Sequence, residues 1–423
     1  MGGGTLELLQ NNSSEIAARS GVSIEVTHVA TRTLKPELTS SVPRTGADPF
    51  VVVADADVDV IVETIGGHDP ALQLIREALG SGKHVVTANK ALIAEHGNEL
   101  FALARSKGKV LAFESAVAGG IPIIKVLREG LAANRIDWLA GIINGTGNFI
   151  LSEMAAHQRP FDDVLAEAQQ LGYAEADPTF DVEGIDAAHK LTILGSIAFG
   201  MPLNFSRTYT EGISHVTTED IIYAAELGYV IKHLGIARKT PAGAELRVHP
   251  TLVDRRRLLA NVNGVDNAVL VHGHAVGSTL YTGPGAGAEA TASAVVADLI
   301  DLARQLGAGA HQSVYPELGY TQQRTDIQVL PIEEIDAEYY LRIPAVDKVG
   351  VMARISSILE SRNISIEAVI QKEAVSESIP IVLLTHTIQE KQLDQAIAAL
   401  EALDDVVGKI TRIRLEPFHG QPD

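Results

Sequence analysis

Along the first third of the chain the apolar positions change period repeatedly. Behind Met1-Gly2-Gly3-Gly4-Thr5, the residues Leu6, Leu8, Leu9 and Ile16 follow a helical pattern, and residues 23–30 then alternate as a strand that ends at Arg32. Residues 58–64 read as a buried strand and lead into Gly66-Gly67. A helix over 70–80, a strand over 84–87, a second helix and a strand over 109–113 complete the pattern. Strands that alternate with helices imply a parallel sheet with helices on its faces.

The other end of the chain repeats a different order. Strand 339–343 is followed by a helix opening at Asp347-Lys348-Val349-Gly350 and running to about 361, with Arg362-Asn363-Ile364 as its turn. Strands over 366–371 and 379–386, a helix over 390–403 and a strand over 407–415 make a βαββαβ unit. Four regions are expected: 1–118, to which a helix over 288–306 returns, then 119–310, a polar linker over 311–337, and the unit over 338–416.

Composition narrows the class. At 423 residues the chain exceeds one ordinary core. Aromatics are only 4 %, so the interior has to be built from Ala, Val, Ile and Leu, which suits helices on parallel strands. The formal charge is 34 − 53 = −19, which opposes nucleic acid and anionic membrane surfaces as partners. There is no cysteine, so disulfides and thiolate metal sites are excluded. No apolar run reaches the ~20 residues of a membrane span, and no secretory leader is visible, so a cytoplasmic location is expected.

Several residues carry candidate chemistry. A dinucleotide fold opens with a strand and then G-x-G-x-x-G at the mouth of its first helix. Here Gly2-Gly3-Gly4 stands where that helix begins, with no strand ahead of it; the alternative is a flexible terminus. Arg32, at a strand end, suits a 2′-phosphate, which favours NADP(H) over NAD(H). Thr64 and Lys90 follow strands at the carboxyl edge of the sheet, where open α/β folds place ligands. Asp186 and Lys190 are four apart, on one face of an otherwise apolar helix over 183–199. They form either a surface ion pair or a functional pair on a buried element. Glu175, Asp177 and Asp181 lie in a carboxylate-rich loop, which is either a solvated turn or a receptor for a cationic amine. Residues 114–121 turn through Gly119-Gly120, as a tight turn or a hard-cation site. Gly283 to Thr291 is a second glycine-rich loop that leads into a helix, whose N-terminus favours anions. The fourteen histidines show no H-x-x-x-H or H-E-x-x-H pair, so no catalytic zinc site is expected.

Successive motifs then carry a resemblance. They are Thr87-Ala88-Asn89-Lys90-Ala91-Leu92, Glu114-Ser115-Ala116-Val117-Ala118-Gly119-Gly120-Ile121-Pro122-Ile123, residues 141–150 around Asn144-Gly145-Thr146-Gly147-Asn148, residues 171–178, and residues 181–191. In order and spacing they resemble monofunctional homoserine dehydrogenases with a C-terminal ACT domain, and the resemblance covers nearly the whole chain. The family's opening strand and Gly-rich turn are absent, so an N-terminally truncated chain is expected. The resemblance implies a Rossmann-type parallel sheet lacking its first strand, an α+β substrate and dimerisation domain, and an ACT domain. It implies reversible NAD(P)H-dependent reduction of L-aspartate 4-semialdehyde to L-homoserine, in threonine, methionine and isoleucine biosynthesis. By resemblance Lys190 is the acid–base residue and Lys90 stands beside nicotinamide and substrate. Glu175 and Asp186 bind substrate, and Asp181 is a further candidate for that role. Gly2, Arg32, Thr64, Gly172 and Gly287 would meet the cofactor. Glu114 and the carbonyls of Val117, Gly119 and Ile121 would hold a structural sodium ion. Asp347, Gly350 and Asn363 mark the regulatory domain, for which threonine is the expected effector, and a homo-oligomer is expected. The alternative is a non-catalytic amino-acid-binding regulator, because the phosphate loop is incomplete.

Overall fold

The structure is a computed structural model, and it describes residues 1–33, 41–307, 316–372 and 378–418. The chain opens on two helices, α1 (Gly2–Asn11) and α2 (Ser13–Ser20), the second ended by Gly21 in the left-handed region at φ 78°. Strands β1 (His28–Ala30) and β2 (Arg44–Gly46) pair in parallel, and α3 (Pro49–Ala54) follows, capped by Asp48. Then come β3 (Val60–Glu63), α4 (Ala71–Gly80), β4 (His84–Thr87), α5 (Lys90–Ser106) and β5 (Leu111–Ala112). Strand β4 is central, parallel to β3 and to β5, and all four of its residues are buried. That explains why Val85 and Val86 stand side by side without alternation.

Strand β6 (Ile136–Ile142) leads to helices α6 (Gly145–His157), α7 (Phe161–Gln170) and α8 (Ile185–Phe199). After β7 (Tyr209–Thr210) and α9 (Thr218–Glu226), two eleven-residue strands, β8 (Tyr229–Lys239) and β9 (Ala244–Asp254), form a long antiparallel hairpin. Strands β10 (Asp266–Gly273) and β11 (Gly277–Pro284) are neighbours, and α10 (Ala288–Gly307) follows them. The last part is β12 (Asp336–Val346), α11 (Val351–Glu360), β13 (Ile366–Gln371), β14 (Ser378–Thr385), the short β15 (Ile388–Gln389), α12 (Glu390–Glu401) and β16 (Thr411–Leu415).

The chain divides into two compact units. One comprises residues 1–137, 189–206 and 267–327; the other comprises 138–188, 207–266 and 328–423. In the first, Leu9, Ile16, Val86, Val295, Val296 and Leu299 form a core between α1, α2, β4 and α10, joined by Ile24 and Val26. Helix α10 lies in this unit.

Several expected strands are shorter in the structure. Residues 23–27 send Ile24 and Val26 into the core but form no ladder, so β1 keeps only its last three residues. The strand expected over 109–113 is reduced to Leu111–Ala112. Among the described residues, β1 and β2 form one parallel sheet and β3, β4 and β5 another. Helix α8 starts at Ile185, two residues later than expected, because Gly184 takes φ 81° and interrupts the chain after the turn at 179–182. A side chain on Gly184 would also stand 3.0 Å from the His233 ring.

In the second unit the order β6-β8-β9-β16-β12-β14-β13 makes one continuous sheet. The βαββαβ unit is present, with β12 flanked antiparallel by β14 and β16. Successive residues of a strand point to opposite faces. On one face of β12, Tyr339, Leu341 and Ile343 pack with Val351, Ile355, Leu393 and Leu400 of α11 and α12. On the other, Tyr340 packs with Phe149, Ile150 and Ile221 of α6 and α9. The sequence pattern does not announce a second junction: β16 also pairs in parallel with β9, Arg414 opposite Thr251 and Leu415 opposite Leu252.

Candidate functional site

Two glycine-rich segments and a strand end come together in the first unit. Helix α1 begins at Gly2, and a Cβ on Gly2 would stand 3.0 Å from Thr64 Oγ1. A Cβ on Gly4 would stand 2.8 Å from the carbonyl oxygen of Ala288, the first residue of α10. Gly3 and Gly287 face open space, and Gly287 holds φ 115°, which L side chains rarely adopt. Side-chain-free backbone at the N-terminal ends of α1 and α10 therefore forms a cradle in which N–H groups and helix dipoles favour anionic oxygen. A nucleotide pyrophosphate fits such a cradle. Arg32 lies two residues beyond β1 and is exposed.

Lys90 is placed by a buried polar rivet. The Glu63 carboxylate, 1 % exposed, accepts from Thr87 Oγ1 at 2.5 Å and from the backbone N–H groups of Ile65 and Gly66. Thr87 Oγ1 in turn accepts from Asn89 N at 3.1 Å. Asn89 caps α5 by accepting from Leu92 N, and its Nδ2 donates to the Gly67 carbonyl at 2.6 Å. The ends of β3 and β4 and the first turn of α5 are thus fastened together, with half-buried Lys90 as the first helical residue. Sequence reasoning selected Lys90 and missed Glu63, Thr87 and Asn89; the signal was an N-cap residue at a strand end.

Helix α8 carries Asp186 and Lys190, and both are buried, at 3 % and 8 % exposure. Asn144, the N-cap of α6, joins two of the expected carboxylates. Its Nδ2 donates to Asp181 Oδ1 at 2.8 Å and to Asp186 Oδ2 at 2.9 Å, while its Oδ1 accepts from Gly147 N. Two acidic side chains converge on one amide, and carboxylate oxygens are the kind of acceptor that an ammonium group takes. Asn144 was legible only as part of its motif. Glu175 does not join this group: it is exposed, on the loop after α7 where Gly172 takes φ 76°.

The Glu114 region is a tight turn with a buried charge. Glu114 Oε1 and Oε2 accept from Ile124 N and Lys125 N, both at 2.9 Å. Burial, helped by Asp298, pushes the Glu114 carboxyl up to about 8, and burial pushes Asp298 up to about 6. Gly119 takes φ 43°, and a side chain there would stand 2.6 Å from the Gly285 carbonyl oxygen. Gly120 N donates to the Pro284 carbonyl at 3.0 Å, so this turn packs on the second glycine-rich loop.

In the C-terminal unit Gly350, at φ 90°, starts α11 beside exposed Asp347. Asn363, at φ 55°, lies past the other end of that ten-residue helix. At 1.5 Å per residue the helix separates them by about 15 Å, so within one copy they do not share a site.

Residues 1–114 match the family profile "Homoserine dehydrogenase, NAD binding domain", residues 122–300 match "Homoserine dehydrogenase", and residues 339–405 match "ACT domain". A homoserine dehydrogenase of Pseudomonas aeruginosa is 58 % identical over 422 residues, covering 99 % of this chain and 97 % of the relative. The chain belongs to the homoserine dehydrogenase family. A homoserine dehydrogenase structure from Thiobacillus denitrificans has TM-score 0.94 at 58 % identity, covering 98 % of this chain and 95 % of its own. A hyperthermophilic archaeal homoserine dehydrogenase, solved in complex with NADPH, has TM-score 0.59 at 28 % identity and covers 70 % of this chain and 92 % of its own. The activity is that of a homoserine dehydrogenase, an NAD(P)-dependent oxidoreductase of amino-acid biosynthesis. It interconverts L-aspartate 4-semialdehyde and L-homoserine, which displaces the alternative of a non-catalytic regulator. The ACT domain points to effector binding. Among the described residues no helix is long and apolar enough to cross a membrane.

Proposed function

We propose that Lys190 is the proton donor and acceptor of the reaction and that Lys90 stabilises the negative charge that develops on the substrate oxygen. The observation that carries this reading is the burial of Lys190 and Asp186, one helical turn apart, in a helix that also buries Ala187, Leu191, Ile193, Leu194 and Ile197. A charged side chain is rarely kept in such a setting without a task or a partner. When bound, the nicotinamide exchanges a hydride with C4 of the substrate. Lys190 gives a proton to the C4 oxygen in the reductive direction and takes it back in the reverse. Asp186 and Asp181, held by Asn144, receive the substrate's cationic amine, and Glu175 binds substrate from the loop after α7. Turnover of the Lys190→Ala variant tests this assignment.

Gly2, Thr64, Gly172 and Gly287 meet the cofactor, and Arg32 binds its 2′-phosphate, so NADP(H) is preferred over NAD(H). A charge-assisted hydrogen bond is worth about 1.5–3 kcal/mol, so Arg32→Ala should raise KM for NADPH by roughly 10–100-fold. KM for NADH should stay unchanged. Equal shifts for both cofactors, or none, would remove Arg32 from this role.

Glu114 and the carbonyls of Val117, Gly119 and Ile121 hold a structural sodium ion. A buried carboxylate pushed toward its neutral form is one whose charge a cation would restore. Exchanging sodium for choline chloride should then lower the melting temperature by a few degrees in the native chain but not in Glu114→Gln. The chain acts in the cytoplasm as a homo-oligomer. Threonine is its effector, bound at Asp347 and Gly350 of one copy, with Asn363 contributed by a second.

A further inference from the structure

Beyond the carboxyl ends of β3 and β4, two histidines and a glutamate take no part in the assignments above. His68 follows the Gly66-Gly67 turn, and Glu95 and His96 are neighbours on α5. One ligand atom from each lies within 4.8 Å of the other two. His68 Nε2 stands 3.6 Å from Glu95 Oε1, and the rings of His68 and His96 meet edge to face with centroids 5.6 Å apart. We propose that His68, Glu95 and His96 form a binding site for a borderline divalent cation of the zinc, cobalt or nickel kind, with His189 as the outer partner of Glu95.

The donor set selects this class of ion. Two imidazole nitrogens and one carboxylate oxygen suit zinc and its first-row neighbours, whereas sodium, calcium and magnesium prefer oxygen alone. Metal–ligand bonds of about 2.0–2.1 Å in a tetrahedron place ligand atoms about 3.4 Å apart. The His68–Glu95 separation of 3.6 Å already has that length. The other separations close through side-chain rotation, which is available because the three side chains are one-third to one-half exposed. Three protein ligands and access to solvent leave the fourth position to water.

The backbone that bears these ligands is fixed. Asn89 Nδ2 holds the Gly67 carbonyl at 2.6 Å, the His68 carbonyl accepts from Leu72 N at 2.8 Å, and Glu95 and His96 sit on a seventeen-residue helix.

Outer partners are also in place, and these orient ligands in metal sites. His189 Nε2 lies 2.9 Å from Glu95 Oε1, and its buried ring stacks on Phe205 at 4.2 Å. Nδ1 of His96 lies 3.3 Å from Glu99, which Arg76 anchors at 2.5 Å. An Nδ1–H donated to Glu99 leaves the Nε2 lone pair of His96 for a metal. No local spacing announces this cluster, because His68 and the Glu95-His96 pair are 27 residues apart and belong to different elements.

Titration of the full, chelator-treated chain with Co2+, read by visible d–d absorption, and with Zn2+, read by calorimetry, tests the site. The wild type should bind one equivalent that His68→Ala weakens at least tenfold and that the double variant His68→Ala/His96→Ala lacks. Weaker binding at the remaining histidines is common to all three proteins and cancels in the difference. Melting curves and metal-free turnover of the variants should match the wild type; if the double variant does not fold, His68→Asn carries the comparison. Identical titrations for the wild type and its folded variants, or no Co2+ absorption band in the wild type, would overturn the proposal. The readout is metal occupancy, so a failure here is separable from a failure of the roles given to Lys190 and Lys90.

Discussion

Lys190→Ala should lower kcat by about 10²–10⁴-fold, the usual contribution of a positioned proton donor, while leaving KM for NADPH nearly unchanged. Reduction of an aldehyde places a full negative charge on oxygen unless a proton arrives as the hydride does. A general acid removes that charge within the step, and only a buried, positioned group does so without waiting for water. Lys190 is 8 % exposed on a mostly apolar helix, with Asp186 one turn away, so substitution removes the proton carrier from this face. Lys190→Arg separates two roles. A guanidinium keeps the positive charge but does not give up its proton in a protein, so a purely electrostatic role would survive the change and proton transfer would not. Lys90→Ala should cost less, about 10²–10³-fold, as the loss of one electrostatic contact to the oxyanion. Wild-type-like turnover in Lys190→Ala, with the variant folded by circular dichroism, would sink the assignment.

The helical and strand periods of the sequence were sufficient for the βαββαβ order of the C-terminal end, but at the other end they missed β2 and α3. Strand β12 shows why the C-terminal order was legible: Tyr339, Leu341 and Ile343 alternate with Tyr340 and Arg342, so the period of two is plain even though both faces are buried. Residues 23–27 show the limit. Ile24 and Val26 have the alternation of a strand and bury side chains accordingly, yet ladder pairing depends on a neighbouring backbone that local pattern does not specify. The parallel pairing of β16 with β9 joins segments about 160 residues apart, which no local period encodes. At the site, ionisable residues were legible because charge on an apolar helix is conspicuous. Asn144, Asn89 and Thr87 were not, because neutral polar residues at helix caps and strand ends look the same whether they fasten a site or only a turn.

Arg414→Met should destabilise the second unit by about 3–5 kcal/mol, the cost of breaking a buried ion pair by removing one partner. Arg414 is fully buried on β16 between the βαββαβ unit and β9. Its Nε donates to Glu390 Oε2 at 2.8 Å, its Nη2 donates to Glu390 Oε1, and its Nη1 donates to Glu211 Oε2 at 2.7 Å. Glu390, at the start of α12, is itself 1 % exposed and accepts from Tyr339 OH at 3.1 Å. One guanidinium therefore neutralises an ACT-domain carboxylate and one that follows β7. Burial alone would raise the Glu211 carboxyl, but His215 and Arg414 outweigh it and hold it well below its usual 4.5. A depressed carboxyl contributes stability that is complete above pH about 4.5 and is lost as pH falls below it. Urea midpoints measured from pH 7 downward should thus show an acid-sensitive component that is smaller in Arg414→Met. The double variant Arg414→Met/Glu390→Met should be more stable than Arg414→Met alone, since it also removes the buried carboxylate that Arg414 neutralises. If the single variant keeps the native midpoint and acid profile, the continuous sheet and not this charge cluster joins the effector domain to the catalytic one.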